Sequence, residues 1–258
     1  MKRYVLTPSA KNDVNDIWDY IAADSIESAD RVLEALESAM IKLSKNPGVG
    51  HWREELADKI AATADIVSGG RLEFGIGAGS RPDIPWARRE YDAYGLPYHD
   101  SAHAVGSLAE ACTVIRRLWA EDKPFDFHGR YLDLAGAFGN PKPVQRPGPP
   151  VVIGGRSAAT LRVAAEHADV WNMPGGDIAD AAARSALLDR YCAEIGRDPA
   201  SVTRSIYLPV SYDQPGITRD TIGEAIDAGF RHIVLGLPAP YPANAAQWVT
   251  GELITTSA

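Results

Sequence analysis

The sequence is poor in cysteine, in cationic charge and in long apolar runs, and each shortage excludes a class of protein. Only two of the 258 residues are cysteines, Cys112 and Cys192. Both lie in helical patterns, which predicts buried thiols in a reducing compartment rather than a disulfide framework. Acidic residues outnumber basic ones by 34 to 26, for a net charge of -8. That balance argues against nucleic acid as the main partner.

Membrane and metal classes are disfavoured as well. No apolar run reaches the roughly 18 residues that cross a bilayer, and the N-terminal apolar run is too short for a signal peptide. We therefore expect a cytoplasmic protein without a membrane partner. His99 and His103 lie four residues apart, but we interpret them as loop and helix-start residues. No convincing metal-ligand spacing is found, so no metal site is predicted.

One stretch, residues 151–172, has the order strand, glycine turn, helix and strand. An apolar β-branched run, Val151–Ile153, is typical of a buried parallel strand. Two glycines and three polar side chains follow it: Gly154, Gly155, Arg156, Ser157 and Thr160. Such a turn gathers free amides, the positive end of a helix dipole and an arginine at one point, which suits a phosphate. An ordinary strand-to-helix turn with Ser157 as N-cap explains the same spacing.

A second glycine-rich stretch, residues 71–79, is predicted to be a strand. Glycines at alternate positions 75, 77 and 79 leave one face without side chains, so that a flat group could lie against the backbone. Tight packing of the strand inside a barrel is the alternative. The segment before this stretch is predicted to be a helix. Four residues form its apolar face: Leu56, Ile60, Ala64 and Val67.

Three further expectations concern less regular segments. Residues 80–100 are polar and aromatic, and we interpret them as a long loop that is either a substrate-covering lid or a solvated excursion. Thr218 is predicted to cap a helix. The tail from Pro238 is expected to be loosely ordered.

From residue 57 onwards, helices and strands alternate, which indicates parallel strands with crossover helices. The predicted strands are residues 71–77, 151–153, 169–172, 204–210 and 232–235. A small β-hairpin over 125–134 is expected to interrupt this alternation.

Residues 1–56 have a different character, with a strand at 3–7 and two amphipathic helices. They resemble the start of the ParE/RelE toxin family over Tyr4–Ala10, Asp16–Ile21, Ala29–Leu33, Leu43–Gly48 and Gly50–Leu56. Toxins of that family continue into an antiparallel sheet that carries their activity, and no alternating hairpins follow residue 56. The resemblance therefore implies a toxin-derived beginning without the toxic half.

The remainder, over about residues 56–237, resembles the bacterial luciferase-like family of flavin-dependent oxidoreductases. The matching motifs are Leu56–Gly79, Asn140–Pro147, Ile153–Gly155 and Ala168–Asn172. The resemblance implies a (β/α)8 barrel. The first three strands of that barrel are missing here, so we expect an incomplete TIM barrel of about five strands in an α/β chain. The predicted domains are a β-α-α hairpin segment, 1–56, and a partial barrel, 57–258.

The resemblance also implies a cofactor and the residues that hold it. Members bind reduced FMN or the deazaflavin coenzyme F-420 and act on a small organic substrate. The expected cofactor-binding residues are Gly77, Gly79, Gly154, Gly155, Arg156, Ser157 and Thr160. No general acid or base is identified, and His99 and His103 are candidates by their chemistry alone. A homodimer is one assembly open to such a chain.

Three hypotheses about function follow. The first is a luciferase-like oxidoreductase or monooxygenase. The second is a component of a toxin–antitoxin module that acts by binding a protein partner. The third is a gene-fusion product with neither activity. Cofactor titration and a growth-arrest assay separate them.

Overall fold

A computed structural model describes five parts of the chain: residues 8–23, 25–45, 54–79, 84–94 and 98–254. The chain divides into two compact units. One comprises Met1–Arg53 and Ser80–Tyr98, and the other comprises Glu54–Gly79 and His99–Ala258. Among the described helices, none combines the length and apolar character that a bilayer-crossing segment requires.

The smaller unit is helical where it is described. Helices α1 (Pro8–Ala22) and α2 (Ile26–Lys45) pack against each other. The Trp18 indole donates a hydrogen bond to Asp30 Oδ1 at 2.9 Å. The predicted helical pair is therefore present, whereas the predicted strand at residues 3–7 lies outside the described residues.

The larger unit is built on a parallel sheet of five strands. These are β1 (Phe74–Ile76), β4 (Val151–Gly154), β5 (Val170–Met173), β6 (Thr203–Pro209) and β7 (His232–Gly236), hydrogen-bonded in that order. All four pairings are parallel. Each strand matches a predicted one to within about three residues at either end. The sequence-based expectation of an open, five-stranded part of an α/β barrel is confirmed.

Helices connect and cover the strands. They are α3 (Glu54–Ser68), α5 (Ser101–Ala120), α6 (Ala158–His167), α7 (Ile178–Glu194), α8 (Pro215–Asp227) and α9 (Ala245–Glu252). The predicted hairpin forms from antiparallel strands β2 (Phe125–His128) and β3 (Asp133–Ala137). It packs on the outer side of α5 through Phe125, Val114 and Leu118.

The register gives the sheet two different faces. In-register partners in a parallel sheet point to the same side, so Ile153 and its partner Trp171 face the helices. Both side chains are fully buried. The opposite face is the inner wall of the partial barrel and is more open, with Tyr207 39% and Val234 37% exposed. Side chains on this wall can therefore contact a ligand.

The predicted apolar face of α3 is wrong. Ile60 is 60% and Val67 82% exposed, and Ala64 is only half-buried, whereas the Leu56 side chain lies outside the described ones. The buried stripe is instead Ala61, Ala62 and Asp65. Two small side chains and a carboxylate do not look like a core face in the sequence. The carboxylate is tolerated because Gln145 satisfies it with donors from both its backbone and its side chain.

Three further corrections concern local structure. Residues 80–100 are not a continuous loop, because Pro85–Tyr94 forms helix α4, in which Ala87 is buried. Thr218 caps no helix: α8 begins one turn earlier at Pro215, a residue suited to the first helical turn. The tail is not loose throughout, because α9 packs Trp248 edge-on against Tyr212, with ring centroids 5.0 Å apart.

The thiols behave as the sequence predicts. Cys112 and Cys192 are free and buried. Burial raises the pKa of the Cys112 thiol to about 12, so neither chemistry nor metal binding is expected of it near neutral pH.

Candidate functional site

Glycines converge at the carboxyl end of the parallel sheet. The strands leave the sheet at this edge, and their last residues or following turns contain Gly77, Gly79, Gly154, Gly155, Gly175, Gly176 and Gly236. Parallel α/β proteins bind ligands at this edge, where loops and helix N-termini meet. The turn after β4, defined here as the β4–α6 turn, residues 154–160, lies at this edge of the sheet.

Gly155 fixes the shape of the β4–α6 turn. Its φ is +144°, and a Cβ built on it would lie 2.6 Å from Thr160 Cγ2. Only glycine fits that backbone and that close approach. The Gly155 amide donates to Asn172 O at 3.2 Å, and its carbonyl accepts from the Trp171 indole at 2.8 Å. The buried core therefore holds the turn rigidly.

Ser157 is the N-cap of α6. Its Oγ accepts a hydrogen bond from the Thr160 amide at 3.1 Å, and the two hydroxyls lie 2.8 Å apart. The N-cap explanation of Ser157 is thus correct, but it does not exclude an anion site. In the described part of the chain, the backbone amides of the exposed residues Ser157, Ala158 and Ala159 donate no hydrogen bond. Free amides at a helix N-terminus attract anions.

Thr160 plays a different part from the other predicted ligands of the turn. Its side chain is buried, packs beneath Gly155 and reaches the Ser157 hydroxyl. It supports the turn from below, whereas Ser157 and Arg156 are exposed to solvent.

The guanidinium of Arg156 is held by the first turn of α7. Arg156 Nη2 lies 2.6 Å from Asp180 Oδ2. The other oxygen of Asp180 accepts from Arg184 Nε at 3.2 Å, and Arg184 Nη1 donates to the Arg156 carbonyl at 2.8 Å. Hydrogen bonding to Arg156, with help from Arg184, holds the pKa of Asp180 below its usual value. Sequence reasoning missed both partners, although the four-residue spacing of Asp180 and Arg184 on one helix signals an ion pair.

The glycine stretch of β1 leaves open space on the inner wall of the sheet. A Cβ on Gly75 or Gly77 would meet no atom within 4 Å, so these glycines are not explained by tight packing. Gly79 has φ +80° and lies beyond the strand. Gly154, which faces the same wall as Gly77, also has space, since its Cβ would find only Asn172 O at 3.9 Å.

Polar and aromatic groups line the same wall further along the sheet. Ser205 Oγ donates to Asn172 Oδ1 at 2.9 Å. The Tyr207 ring lies against Gly236, where any larger residue would displace it, whereas a Cβ on Gly175 would make only an ordinary contact with the ring at 3.6 Å. The wall thus offers a flat surface beside glycines at one side and a half-exposed ring at the other.

His99 and His103 come together at the start of α5. Their rings stack with centroids 3.8 Å apart and planes within 5°, and the His103 ring also contacts Tyr131 edge-on at 4.6 Å. Within the described ranges, neither ring forms a hydrogen bond or a ring contact with the β4–α6 turn. A catalytic part for this pair stays a prediction from its chemistry alone.

Comparison with known proteins agrees with this arrangement. A sequence model of the luciferase-like monooxygenases matches residues 55–252. A model of the ParE toxin of type II toxin–antitoxin systems matches residues 4–77, further than the resemblance predicted from the sequence. Its last part overlaps α3 and β1, which here belong to the larger unit, with β1 in its parallel sheet.

Individual relatives cover only parts of this chain. An FMNH2-dependent dimethylsulfone monooxygenase of Pseudomonas putida is 29% identical over 157 residues, which is 60% of this chain and 41% of that protein. The chain therefore spans about two-fifths of the length of this relative. Among solved structures, an F420-dependent secondary alcohol dehydrogenase gives a TM-score of 0.65 at 16% identity, with 79% of this chain and 75% of that one covered.

A second solved structure, the F420-dependent tetrahydromethanopterin reductase of Methanopyrus kandleri, also gives a TM-score of 0.65, at 17% identity and 79% coverage of both chains. At such identities the two structures establish the fold. The family follows from the sequence match, which extends over more than half of the residues. The chain belongs to the luciferase-like monooxygenase family.

Proposed function

We propose that this chain binds reduced FMN or a deazaflavin coenzyme, with the phosphate at the β4–α6 turn, and acts as an oxidoreductase on a small organic substrate. The observation that carries the proposal is the set of unpartnered backbone amides of the exposed residues Ser157, Ala158 and Ala159, beside Arg156. One relative named as FMNH2-dependent and two solved structures named as F420-dependent support the two alternatives.

The residues present fit the proposed cofactor. The amides and the Ser157 hydroxyl would bind phosphate oxygens, and Arg156 would add a positive charge. Gly154 and Gly77 leave room for the backbone to approach a flat ring, and Gly79 continues that path. When bound, the cofactor supplies the redox chemistry, while the chain orients it. We assign no general acid or base.

Ligand titration tests the proposal. Quenching of ligand fluorescence would be followed with FMN, with the deazaflavin coenzyme and with riboflavin, which differs from FMN only by lacking the phosphate. Charge-assisted hydrogen bonds to a phosphate predict that FMN binds at least about tenfold more tightly than riboflavin. Equal affinities for FMN and riboflavin would show that the phosphate group contributes nothing to binding. If the chain binds neither FMN nor the deazaflavin coenzyme, the proposed function is wrong.

A toxin-like activity is the second candidate, favoured by the ParE-type match and by the paired helices α1 and α2. Growth arrest on expression of the full chain, relieved by a co-expressed partner, would support it. The division near residue 57 remains our proposal for where the toxin-like and luciferase-like parts meet. If the chain neither binds cofactor nor arrests growth, a fusion product without either activity is the remaining reading.

A further inference from the structure

The cation that the proposed phosphate site would use is already engaged. Arg156 Nη2 and Asp180 Oδ2 are 2.6 Å apart, a short charge-assisted contact between the β4–α6 turn and helix α7. A carboxylate oxygen thus occupies one of the donors that a phosphate oxygen would take. An anion that binds at the turn must either accept the remaining donors of Arg156 or replace Asp180.

Arg184 lowers the free-energy cost of replacing Asp180 by another anion as the partner of Arg156. It pairs with the second oxygen of Asp180 at 3.2 Å, so the carboxylate keeps a cation when Arg156 leaves. A second nitrogen of Arg184, Nη1, donates a hydrogen bond to the Arg156 carbonyl at 2.8 Å. The backbone of the turn therefore stays in place while the Arg156 side chain moves.

The surroundings of Arg156 permit that movement. Its side chain is 54% exposed, and the guanidinium lies over Gly176, whose missing Cβ would stand 3.8 Å from Nη2. A half-exposed ion pair is screened by water and is individually weak. Exchange of one anionic partner for another therefore needs no disruption of the core.

We propose that Asp180 competes with a bound anion for Arg156. When phosphate binds, the Arg156 guanidinium moves from Asp180 to the phosphate, and Asp180 stays paired with Arg184. This inference rests on the proposed function of the turn. It makes Asp180 and Arg184 positioning residues that set phosphate affinity with opposite signs. Removing the Asp180 charge frees Arg156, whereas removing Arg184 leaves Asp180 to bind Arg156 alone.

Inorganic phosphate is the probe for this competition, and calorimetric titration of the full chain gives its affinity. Asp180→Asn is expected to bind phosphate about three- to fivefold more tightly than the wild type, the range that a weak, partly exposed ion pair allows. Arg184→Gln is expected to bind more weakly by a similar factor. The gain from Asp180→Asn should vanish when Arg156 is also replaced by glutamine, because no cation is left to be freed.

The chain provides a matched control. Arg162 and Glu194 form another exposed ion pair between α6 and α7, at 2.8 Å, and Glu194→Gln should leave phosphate affinity unchanged. Unaltered or weaker phosphate binding by Asp180→Asn would overturn the inference, as would a gain that persists without Arg156. Because phosphate is the ligand, the inference can hold even if titration with FMN and deazaflavin fails, so the two failures are distinguishable.

Discussion

Replacing Gly155 by alanine is expected to weaken cofactor binding by at least about tenfold and to destabilise the chain by about 1–3 kcal/mol. The backbone at this residue has φ +144°, and the new Cβ would lie 2.6 Å from Thr160 Cγ2 and 3.2 Å from Thr160 Cβ. Relief of that overlap must move the turn or the helix, and either movement displaces the amides that we assign to the phosphate. Urea denaturation and cofactor titration measure the two effects.

A substitution at the neighbouring Gly154 separates the effect on stability from the effect on cofactor binding. Gly154 does not have the positive φ of Gly155, and its Cβ would meet only Asn172 O at 3.9 Å. Gly154→Ala should therefore leave the free energy of unfolding nearly unchanged while placing a methyl group where a ligand would approach the backbone. A Gly155→Ala chain with wild-type stability and wild-type cofactor affinity would show that the turn is neither strained nor used.

Replacing Asp65 by alanine is expected to lower the free energy of unfolding by about 2–4 kcal/mol. The Asp65 side chain is fully buried. It accepts from the Gln145 amide at 2.9 Å and from Gln145 Nε2 at 2.8 Å. These bonds join the end of α3 to the segment that leads into β4. Truncation leaves the part-buried backbone donor of Gln145 without a partner, which costs more than the bond itself contributes.

The same carboxylate predicts the direction of a pH dependence. Burial alone would raise the pKa of Asp65, but the donors of Gln145 outweigh it and hold this pKa below its ordinary value of 3.8. The stabilisation is therefore present above the ordinary pKa and is lost as the pH falls through the lower, folded-state pKa.

The exposed residue Asp122 provides the control for both effects. Urea denaturation at neutral and acidic pH would show a difference between wild type and Asp65→Ala that shrinks in acid. Asp122→Ala should change little at either pH. Equal stability of wild type and Asp65→Ala at neutral pH would contradict our account of how α3 is held.

Local signals explain which parts of the fold could be predicted. The five parallel strands were recognised because short β-branched runs such as Val151–Ile153 alternate with helical stripes. The β4–α6 turn is predictable because two glycines and a hydroxyl residue directly after a strand are typical of a sharp turn into a helix N-terminus. Ser157 does cap a helix, as one explanation of that spacing predicts, whereas phosphate binding at the turn stays a prediction.

Several of the failures share a different cause, namely dependence on distant partners. The buried face of α3 contains Asp65, which the sequence pattern marks as polar, and only Gln145, 80 residues away, makes it a core residue. Helix α9 was missed because its packing depends on Tyr212 from another part of the chain. The pairing of Arg156 with Asp180 likewise joins the β4–α6 turn to a helix 24 residues further along the chain. No local pattern encodes such contacts.

The central claim is that an anion binds the free amides of the β4–α6 turn, and backbone amide NMR shifts during titration with FMN test it most directly. We predict that the largest shifts fall on Ser157, Ala158 and Ala159. The Gly155 amide, already bonded to Asn172 O, should shift much less. Binding of FMN that leaves the three amides unperturbed, with the shifts concentrated elsewhere, would contradict the account.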